Sequence, residues 1–164
     1  MQGANRFAGY VSVLQRRPNA WAIMEGDAGH PDITGIVRFY QTRVDVLVAA
    51  EVSGLPAGPE LCGGRVLGFH IHSGEQCTGD ETDPFAAALG HYDPNGCPHP
   101  EHVGDMPPLF SNHGYAFQVF LTDRFSVREI IGRTVIIHSA PDDFTSQPSG
   151  NAGSKIACGR IRTR

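Results

Sequence analysis

The sequence is most informative at the stretch Val66-Leu67-Gly68-Phe69-His70-Ile71-His72. This short, mainly apolar run has the length and the residue types of a β-strand. Side chains two positions apart project from the same face of a strand, so His70 and His72 point the same way. One strand can therefore offer two imidazole ligands to one metal ion.

Seven further short runs, on either side of this stretch, also predict strands. Each run is apolar or alternates apolar with polar residues, and turn residues such as glycine, proline, asparagine and aspartate separate them. The predicted strands cover residues 20–25, 33–41, 44–52, 109–111, 115–121, 134–138 and 155–161. A helical signal over 85–89 is too short to change the fold class. About eight short strands predict an all-β fold, an antiparallel sandwich or barrel.

Two long segments interrupt the strand pattern. Residues 73–108 have little apolar periodicity and many acids, and residues 139–154 are rich in aspartate, serine, proline and glycine. Irregular segments longer than about 15 residues are usually functional. The 164-residue chain holds 20 glycines and 12 prolines, and only 18% of its residues are charged. This composition favours a turn-rich β protein with two long functional loops.

Charge and hydropathy argue against two classes of partner. A net charge of −4 and a pI near 6.0 argue against nucleic-acid binding. The sequence has no apolar run long enough to predict a membrane span. The first residues lack the pattern of a signal peptide, which predicts a cytoplasmic location for the chain as written. A trimmed periplasmic or secreted protein would read the same, and four cysteines keep that alternative open.

Six of the eight histidines lie at predicted strand ends or in the first long segment. Besides the pair at 70 and 72, they are His91, His99, His102 and His138. Asp105 follows His102 closely. Imidazole suits copper and zinc, and a tetrahedral zinc site accepts three nitrogens and a carboxylate oxygen. Together these residues predict metal binding, whereas His30 and His113 are predicted to be exposed turn residues.

Five segments, in this order, resemble the copper/zinc superoxide dismutases. They are Gly68-Phe69-His70-Ile71-His72, Gly90-His91-Tyr92-Asp93-Pro94, His102-Val103-Gly104-Asp105, Ile131-Gly132-Arg133-Thr134-Val135-Ile136-Ile137-His138 and Gly150-Asn151-Ala152-Gly153-Ser154-Lys155-Ile156-Ala157-Cys158-Gly159. The resemblance spans roughly residues 20–162. The second segment, and the Met106-Pro107-Pro108-Leu109 that follows Asp105, are most similar to the bacterial branch.

The resemblance implies an eight-stranded Greek-key β-barrel with two metal ions held by loops outside it. The implied copper ligands are His70, His72, His91 and His138, and the implied zinc ligands are His91, His99, His102 and Asp105. His91 would bridge the two ions and supply a proton to the product. The implied activity is enzymatic: dismutation of the superoxide anion to oxygen and hydrogen peroxide.

The resemblance also assigns two supporting residues. Asp142 matches the aspartate that links a copper ligand to a zinc ligand and so orients both imidazoles. Lys155 stands where the family has an arginine that attracts superoxide. Lysine keeps the positive charge but lacks the planar fork of the guanidinium group. The resemblance therefore implies a role for Lys155 in guiding the anion, with weaker capture than arginine would give.

Two further features depart from the family pattern. Residues 73–83 and 139–154 carry acids but neither lysine nor arginine, which predicts a shallow dependence of the rate on ionic strength. Only two residues separate His99 from His102, where the family usually has a longer loop. A zinc-free or distorted site therefore stays open, with Cys97 as a competing thiolate ligand.

The cysteines divide into an implied pair and two others. The resemblance implies a disulfide between Cys77 and Cys158, which would tie the first long loop to the last strand. Cys62 and Cys97 are additional. Spacing alone does not decide whether these two form a second bridge or remain free thiols.

Alternatives remain for three properties: the N-terminal segment, the oligomeric state and the function. Residues 1–17 are predicted to form an N-terminal arm or, because of the alternation at Val11 and Val13, an extra strand before a dismutase-like domain at 18–164. The family includes monomers and dimers, so a homodimer is open. The alternative function is a dismutase-like copper store or delivery protein with little turnover. The complete set of copper histidines favours the enzyme.

Overall fold

A computed structural model of the protein describes residues 4–59 and 64–164. In this part of the chain there are nine β-strands, two α-helices and one short 3-10 helix. The strands are β1 (Ala20–Gly26), β2 (Thr34–Gln41), β3 (Val46–Ser53), β4 (Gly64–Leu67), β5 (Phe69–His72), β6 (Leu109–Asn112), β7 (Ala116–Thr122), β8 (Thr134–His138) and β9 (Lys155–Arg162). The helices are α1 (Ala4–Leu14) and α2 (Val127–Ile130), and the 3-10 helix is Ala86–Ala88.

Seven of these strands form one antiparallel sheet in the order β5-β8-β9-β1-β2-β3-β7. The sheet curls into half of a barrel, and β4 and β6 form a separate antiparallel pair. The concave side holds a continuous apolar core that includes Phe39, Leu67, Phe69 and Leu109. The predicted all-β, antiparallel class is therefore confirmed.

The predicted strand over residues 66–72 is divided in the structure. Gly68 separates β4, which pairs with β6, from β5, which pairs with β8. The Gly68 N–H donates to the Ala140 carbonyl at 2.8 Å, and the His138 N–H donates to the Gly68 carbonyl at 2.9 Å. An added Cβ at Gly68 would lie 2.8 Å from Cβ of Ala152. This position therefore requires glycine at the point where the chain passes from one ladder to the other.

Residues 4–14 form helix α1, so the prediction of an extra strand in this segment is wrong. The helical spacing of Tyr10, Val13 and Leu14 places these side chains on one face. That face packs against Tyr40, Leu47 and Ala49 on the outer side of β2 and β3. Because α1 covers this side, β3 is buried on both faces, which explains why its sequence alternates poorly.

The two long segments are irregular, as predicted, and they lie next to β5, β8 and β9. The 3-10 helix packs with Phe85 and Ala88 against Ile136 and Cys158. The disulfide Cys77–Cys158 is confirmed and fastens this segment to β9. Cys62 lies outside the described residues. The helices in the described ranges are all too short to cross a membrane.

Candidate metal centre

Strand β5 carries the two central imidazoles and is bordered by loop residues on its free edge. The Ile71 N–H donates to the Gly104 carbonyl, and the Tyr92 N–H donates to the Ile71 carbonyl, both at 2.8 Å. Isolated bridges pair His70 with Asp105 and His72 with His91. The first long segment thus continues the sheet locally, which places His91 and Asp105 beside β5.

Strand β8 lies on the opposite edge of β5 and contributes His138 at its last position. The pairing of β8 with β9 shifts register between Ile137 and His138. Such bulges redirect side chains at the ends of strands. The hydrogen bond to the Gly68 carbonyl fixes the backbone of His138 at this point.

The structure brings four predicted residues together in a first group: His70, His72, His91 and His138. One ring nitrogen of each lies within 4.8 Å of one ring nitrogen of every other. Nε2 of His72 and Nε2 of His138 are only 3.2 Å apart. His70, His72 and His138 are buried. Four converging imidazole nitrogens form a donor set suited to copper.

A second group contains His91, His99, His102 and Asp105, whose ligand atoms also lie within 4.8 Å of one another. Oδ1 of Asp105 is 2.8 Å from Nδ1 of His91, and Oδ2 is 3.0 Å from Nδ1 of His99. Three imidazoles and a carboxylate match a zinc site. Since His91 belongs to both groups, the two groups are joined through one ring.

The short spacing between His99 and His102 is accommodated by a tight turn. The Glu101 N–H donates to the Pro98 carbonyl at 2.8 Å, and the His102 N–H donates to Oδ2 of Asp105 at 3.0 Å. The two imidazole centroids are 5.5 Å apart. Among the described residues, Cys97 belongs to neither group. The geometry thus supplies four ligands to the second group without the thiol.

Backbone carbonyls determine which nitrogen of two imidazoles faces the first group. Nδ1 of His72 contacts the Leu89 carbonyl at 2.7 Å, and Nδ1 of His138 contacts the Gly153 carbonyl at 3.2 Å. A carbonyl only accepts, so each Nδ1 carries the proton. Each Nε2 then has a lone pair available to a metal ion.

Asp142 connects the two groups. Its Oδ2 is 2.7 Å from Nε2 of His70, and its Oδ1 is 2.9 Å from Nε2 of His99. Burial alone would raise the pKa of Asp142, but the hydrogen bonds from His70, from the Phe144 N–H and from His99 lower it overall. The carboxylate therefore stays ionised and orients one imidazole of each group.

Burial also favours the neutral form of two imidazoles of the first group, His72 and His138. It lowers the pKa of His138 to about 3, and the nearby His70 adds to this effect. It lowers the pKa of His72 well below its ordinary value, with a further contribution from His138. Within the described residues, Nδ1 of His70 and Nε2 of His91 are buried without a hydrogen-bond partner. Ring nitrogens without a hydrogen-bond partner are available to a metal ion, so these residues fit copper and zinc.

Lys155 lies at the first position of β9 and lines a cavity of about 600 Å³ together with His72, His91 and His138. Its Nζ donates to Oδ2 of Asp83 at 2.6 Å and to the Phe85 carbonyl at 3.1 Å. Lys155 therefore lies beside the first group, as predicted, but it forms an ion pair with Asp83. No motif in the sequence indicates this partner.

Two further residues that the sequence did not indicate hold the second group. The side-chain amide of Gln147 accepts from the His99 N–H at 2.9 Å and donates to the His99 carbonyl at 2.7 Å. Arg124 donates to the Pro100 and His102 carbonyls at 2.7 and 3.0 Å. All these contacts are made to backbone groups of residues 99–102. Contacts to backbone groups leave no motif in the sequence.

The two remaining histidines lie in turns, as predicted. Nδ1 of His30 is 2.8 Å from Oδ1 of Asp27. His113 has a φ of 50° in the turn between β6 and β7. Neither residue belongs to the two groups.

Comparison with known proteins agrees with this geometry. The family model described as copper/zinc superoxide dismutase matches residues 33–161. The chain is 34% identical over 146 residues to superoxide dismutase [Cu-Zn] 2 of Aquifex aeolicus, covering 80% of each chain. It is 33% identical over 145 residues to superoxide dismutase [Cu-Zn] of Deinococcus radiodurans, covering 77% of this chain and 76% of the relative.

A vertebrate relative shows a similar degree of identity. The chain is 35% identical over 150 residues to superoxide dismutase [Cu-Zn] A of Xenopus laevis, covering 82% of this chain and 92% of the relative. The family match spans most of the described strands and both long loops. With two adjoining ligand groups that share one histidine, the chain belongs to the copper/zinc superoxide dismutase family.

Proposed function

We propose that the protein converts superoxide into oxygen and hydrogen peroxide at a copper ion supported by zinc. The observation that carries this proposal is the sharing of His91 between a group of four imidazoles and a group of three imidazoles and a carboxylate. The second group contacts His91 through Nδ1 and can hold this ring in place beside the first group. Family membership supports the same conclusion.

The ligands follow from the chemistry of the two donor sets. We assign His70, His72, His91 and His138 to copper, and His91, His99, His102 and Asp105 to zinc. Imidazole accepts both oxidation states of copper, and the hard carboxylate oxygen suits zinc. Asp142 serves as the orienting partner of both groups.

Copper, when bound, supplies a one-electron couple, so that one superoxide is oxidised to oxygen and a second is reduced to peroxide. Peroxide needs protons, and Nε2 of His91 is a buried nitrogen on the side of the first group. Nδ1 of the same ring faces Asp105 in the second group. Nε2 of His91 can therefore hold a proton and pass it to the product while the second group keeps the ring in place.

Lys155 is proposed to guide the substrate. Superoxide is a small anion, and a cation beside the cavity raises its local concentration. Lys155 lines the same cavity as His72, His91 and His138. Its side chain is 15% exposed, and one N–H of the ammonium group is not engaged by Asp83 or by the Phe85 carbonyl.

Superoxide consumption by protein loaded with copper and zinc tests this function. We expect activity in the wild-type chain and a loss of about a hundredfold or more in a His72→Gln variant, because a copper ligand is removed. A His30→Gln variant is the matched control, since His30 lies in a distant turn. A protein that binds both ions without consuming superoxide would contradict the proposal and indicate a metal store instead.

We also propose an organisation for the whole chain. Residues 1–17 serve as an arm, with α1 on the outside of a dismutase domain at 18–164. The Cys77–Cys158 disulfide supports function in an oxidising compartment, such as the periplasm or the extracellular space.

A homodimer is proposed as the functional assembly. The outer face of β7 carries Phe117, Val119 and Leu121, which are 60, 37 and 41% exposed. Val119 and Leu121 lie beside Ala49 and Leu47 of β3, which α1 already covers. A second copy would bury the uncovered part of this apolar face. Analytical ultracentrifugation of the wild-type chain and of a Val119→Lys variant tests this, and a wild-type monomer would refute it.

A further inference from the structure

Lys155 does not present a free charge to the cavity. Its Nζ donates to Oδ2 of Asp83 at 2.6 Å and to the Phe85 carbonyl at 3.1 Å. An ammonium group has three N–H donors. Two are therefore occupied by groups of the first long loop, and one is left for an incoming anion.

The carboxylate of Asp83 is fixed by its own loop. Its Oδ1 accepts from the Phe85 N–H at 3.1 Å, and its backbone carbonyl accepts from the N–H groups of Asp80 and Ala86. The Cys77–Cys158 disulfide joins this loop to β9, the strand that carries Lys155. The loop thus positions the carboxylate of Asp83, and β9 positions the ammonium group of Lys155, so that the two charges meet.

The ion pair affects the charge of the whole cavity, because few other charged side chains border it. Among the described residues that line it, Lys155 is the only lysine or arginine, whereas Asp83 and Asp93 both contribute carboxylates. The potentials of a cation and an anion 2.6 Å apart largely cancel at distances several times that separation, where an anion approaches. Asp83 therefore removes most of the positive potential that Lys155 would otherwise supply.

We propose that Asp83 determines how strongly the cavity attracts anions, by neutralising Lys155. This inference rests on the proposed function, in which superoxide enters the same cavity. Asp83 acts through Lys155 and sets the affinity of the cavity for anions without contacting them. It would make this protein a weak binder of anions compared with a variant in which the lysine is unpaired.

An Asp83→Asn variant isolates the charge. Asparagine keeps one oxygen that can accept from Nζ, although its N–H₂ group then replaces the acceptor of the Phe85 N–H. The Phe85 carbonyl still holds the ammonium group, so the position of Lys155 is retained. We expect azide to bind the copper- and zinc-loaded variant about three- to tenfold more tightly than wild type. The measurement is a spectrophotometric titration with azide at low ionic strength, and the difference should shrink in high salt.

A Glu81→Gln variant is the matched control. It removes the same charge from the same loop at an exposed position that does not contact Lys155. Its azide affinity should stay within twofold of wild type. A double variant, Asp83→Asn with Lys155→Met, should lose the gain.

The outcomes separate this inference from the proposed function. Unchanged azide affinity in Asp83→Asn, or an equal gain in Glu81→Gln, would overturn the role of Asp83 whatever the dismutase activity. A gain that persists in the double variant would also overturn it, since the effect would not pass through Lys155. Tighter azide binding without any superoxide consumption would refute the proposed function and leave the role of Asp83 standing.

Discussion

Single residues decide which imidazole nitrogens are available to metal ions. The carbonyls of Leu89 and Gly153 accept from Nδ1 of His72 and His138, and this turns each Nε2 toward the first group. The sequence predicted the imidazoles through the His-x-His spacing and the family resemblance. It could not predict their tautomers, because the acceptors are backbone carbonyls 17 and 15 positions away in the chain.

The first prediction concerns the carboxylate shared by His70 and His99. In an Asp142→Asn variant the amide oxygen can accept from one imidazole, but the amide N–H₂ group meets the N–H of the other. We expect zinc affinity to fall about 10- to 100-fold. Competition with a chelator measures this, and Asp32→Asn, at an exposed turn position, is the control. An unchanged zinc affinity would contradict the orienting role of Asp142.

The second prediction concerns acid sensitivity of the metal-free protein. Burial lowers the pKa of His138 to about 3 and that of His72 well below 6.5. Below pH 6.5 the unfolded chain binds protons that the folded chain does not, so stability falls as the pH falls from about 6.5 toward 3. The expected slope is roughly 1.4 kcal/mol per pH unit for each such histidine.

Urea unfolding of metal-free protein between pH 7 and pH 4 measures this slope. A His138→Gln variant has one fewer histidine to protonate and should show a shallower slope than the wild type. A free energy of unfolding that is constant between pH 6.5 and pH 4 would refute the prediction.

At the scale of secondary-structure elements, two differences from the sequence prediction have a packing cause. The predicted strand at 66–72 is divided because the chain changes partner strand at Gly68, and strand periodicity continues across the change. Helix α1 was missed because Val11 and Val13 suggest alternation. The helix is stabilised by the packing of Tyr10, Val13 and Leu14 on β2 and β3. This is a tertiary contact, which the local sequence pattern does not show. The other predicted strands agree with the structure to within a few residues.

The third prediction follows from the change of ladder at Gly68. A methyl group there would lie 2.8 Å from Cβ of Ala152 and 3.2 Å from Cβ of His138. We expect Gly68→Ala to reduce the free energy of unfolding by about 1–3 kcal/mol, because β5 and the second loop must move apart. Denaturant unfolding measures this change. Gly90→Ala, where an added Cβ meets nothing within 4 Å, should be nearly neutral. Equal effects of the two substitutions would contradict the prediction.

At the scale of the whole molecule, the candidate centre is assembled from distant parts of the chain. The order of motifs predicted which seven residues converge, and the implied disulfide is present. The partner of Lys155 was not predictable. Asp83 is 72 positions away and is one of several acids in the first long loop, so only the folded chain identifies it.

The fourth prediction concerns the field of the whole protein. The net charge is −4, and the described cation beside the cavity is paired with a carboxylate. Long-range attraction of superoxide should therefore be weak, and the rate should depend only shallowly on ionic strength. Pulse radiolysis from about 10 to 200 mM salt measures this dependence, with Asp83→Asn as the steeper comparison. A steep fall in the wild-type rate would contradict it.

The carboxylate of Asp142 and the ring of His91 each belong to the surroundings of both ligand groups. An ion in one group orders side chains that the other group also uses, so the entropy of ordering them is spent only once. By thermodynamic linkage, each ion then strengthens the binding of the other by the same factor. Loading should be cooperative, with few molecules carrying a single ion when both metals are scarce.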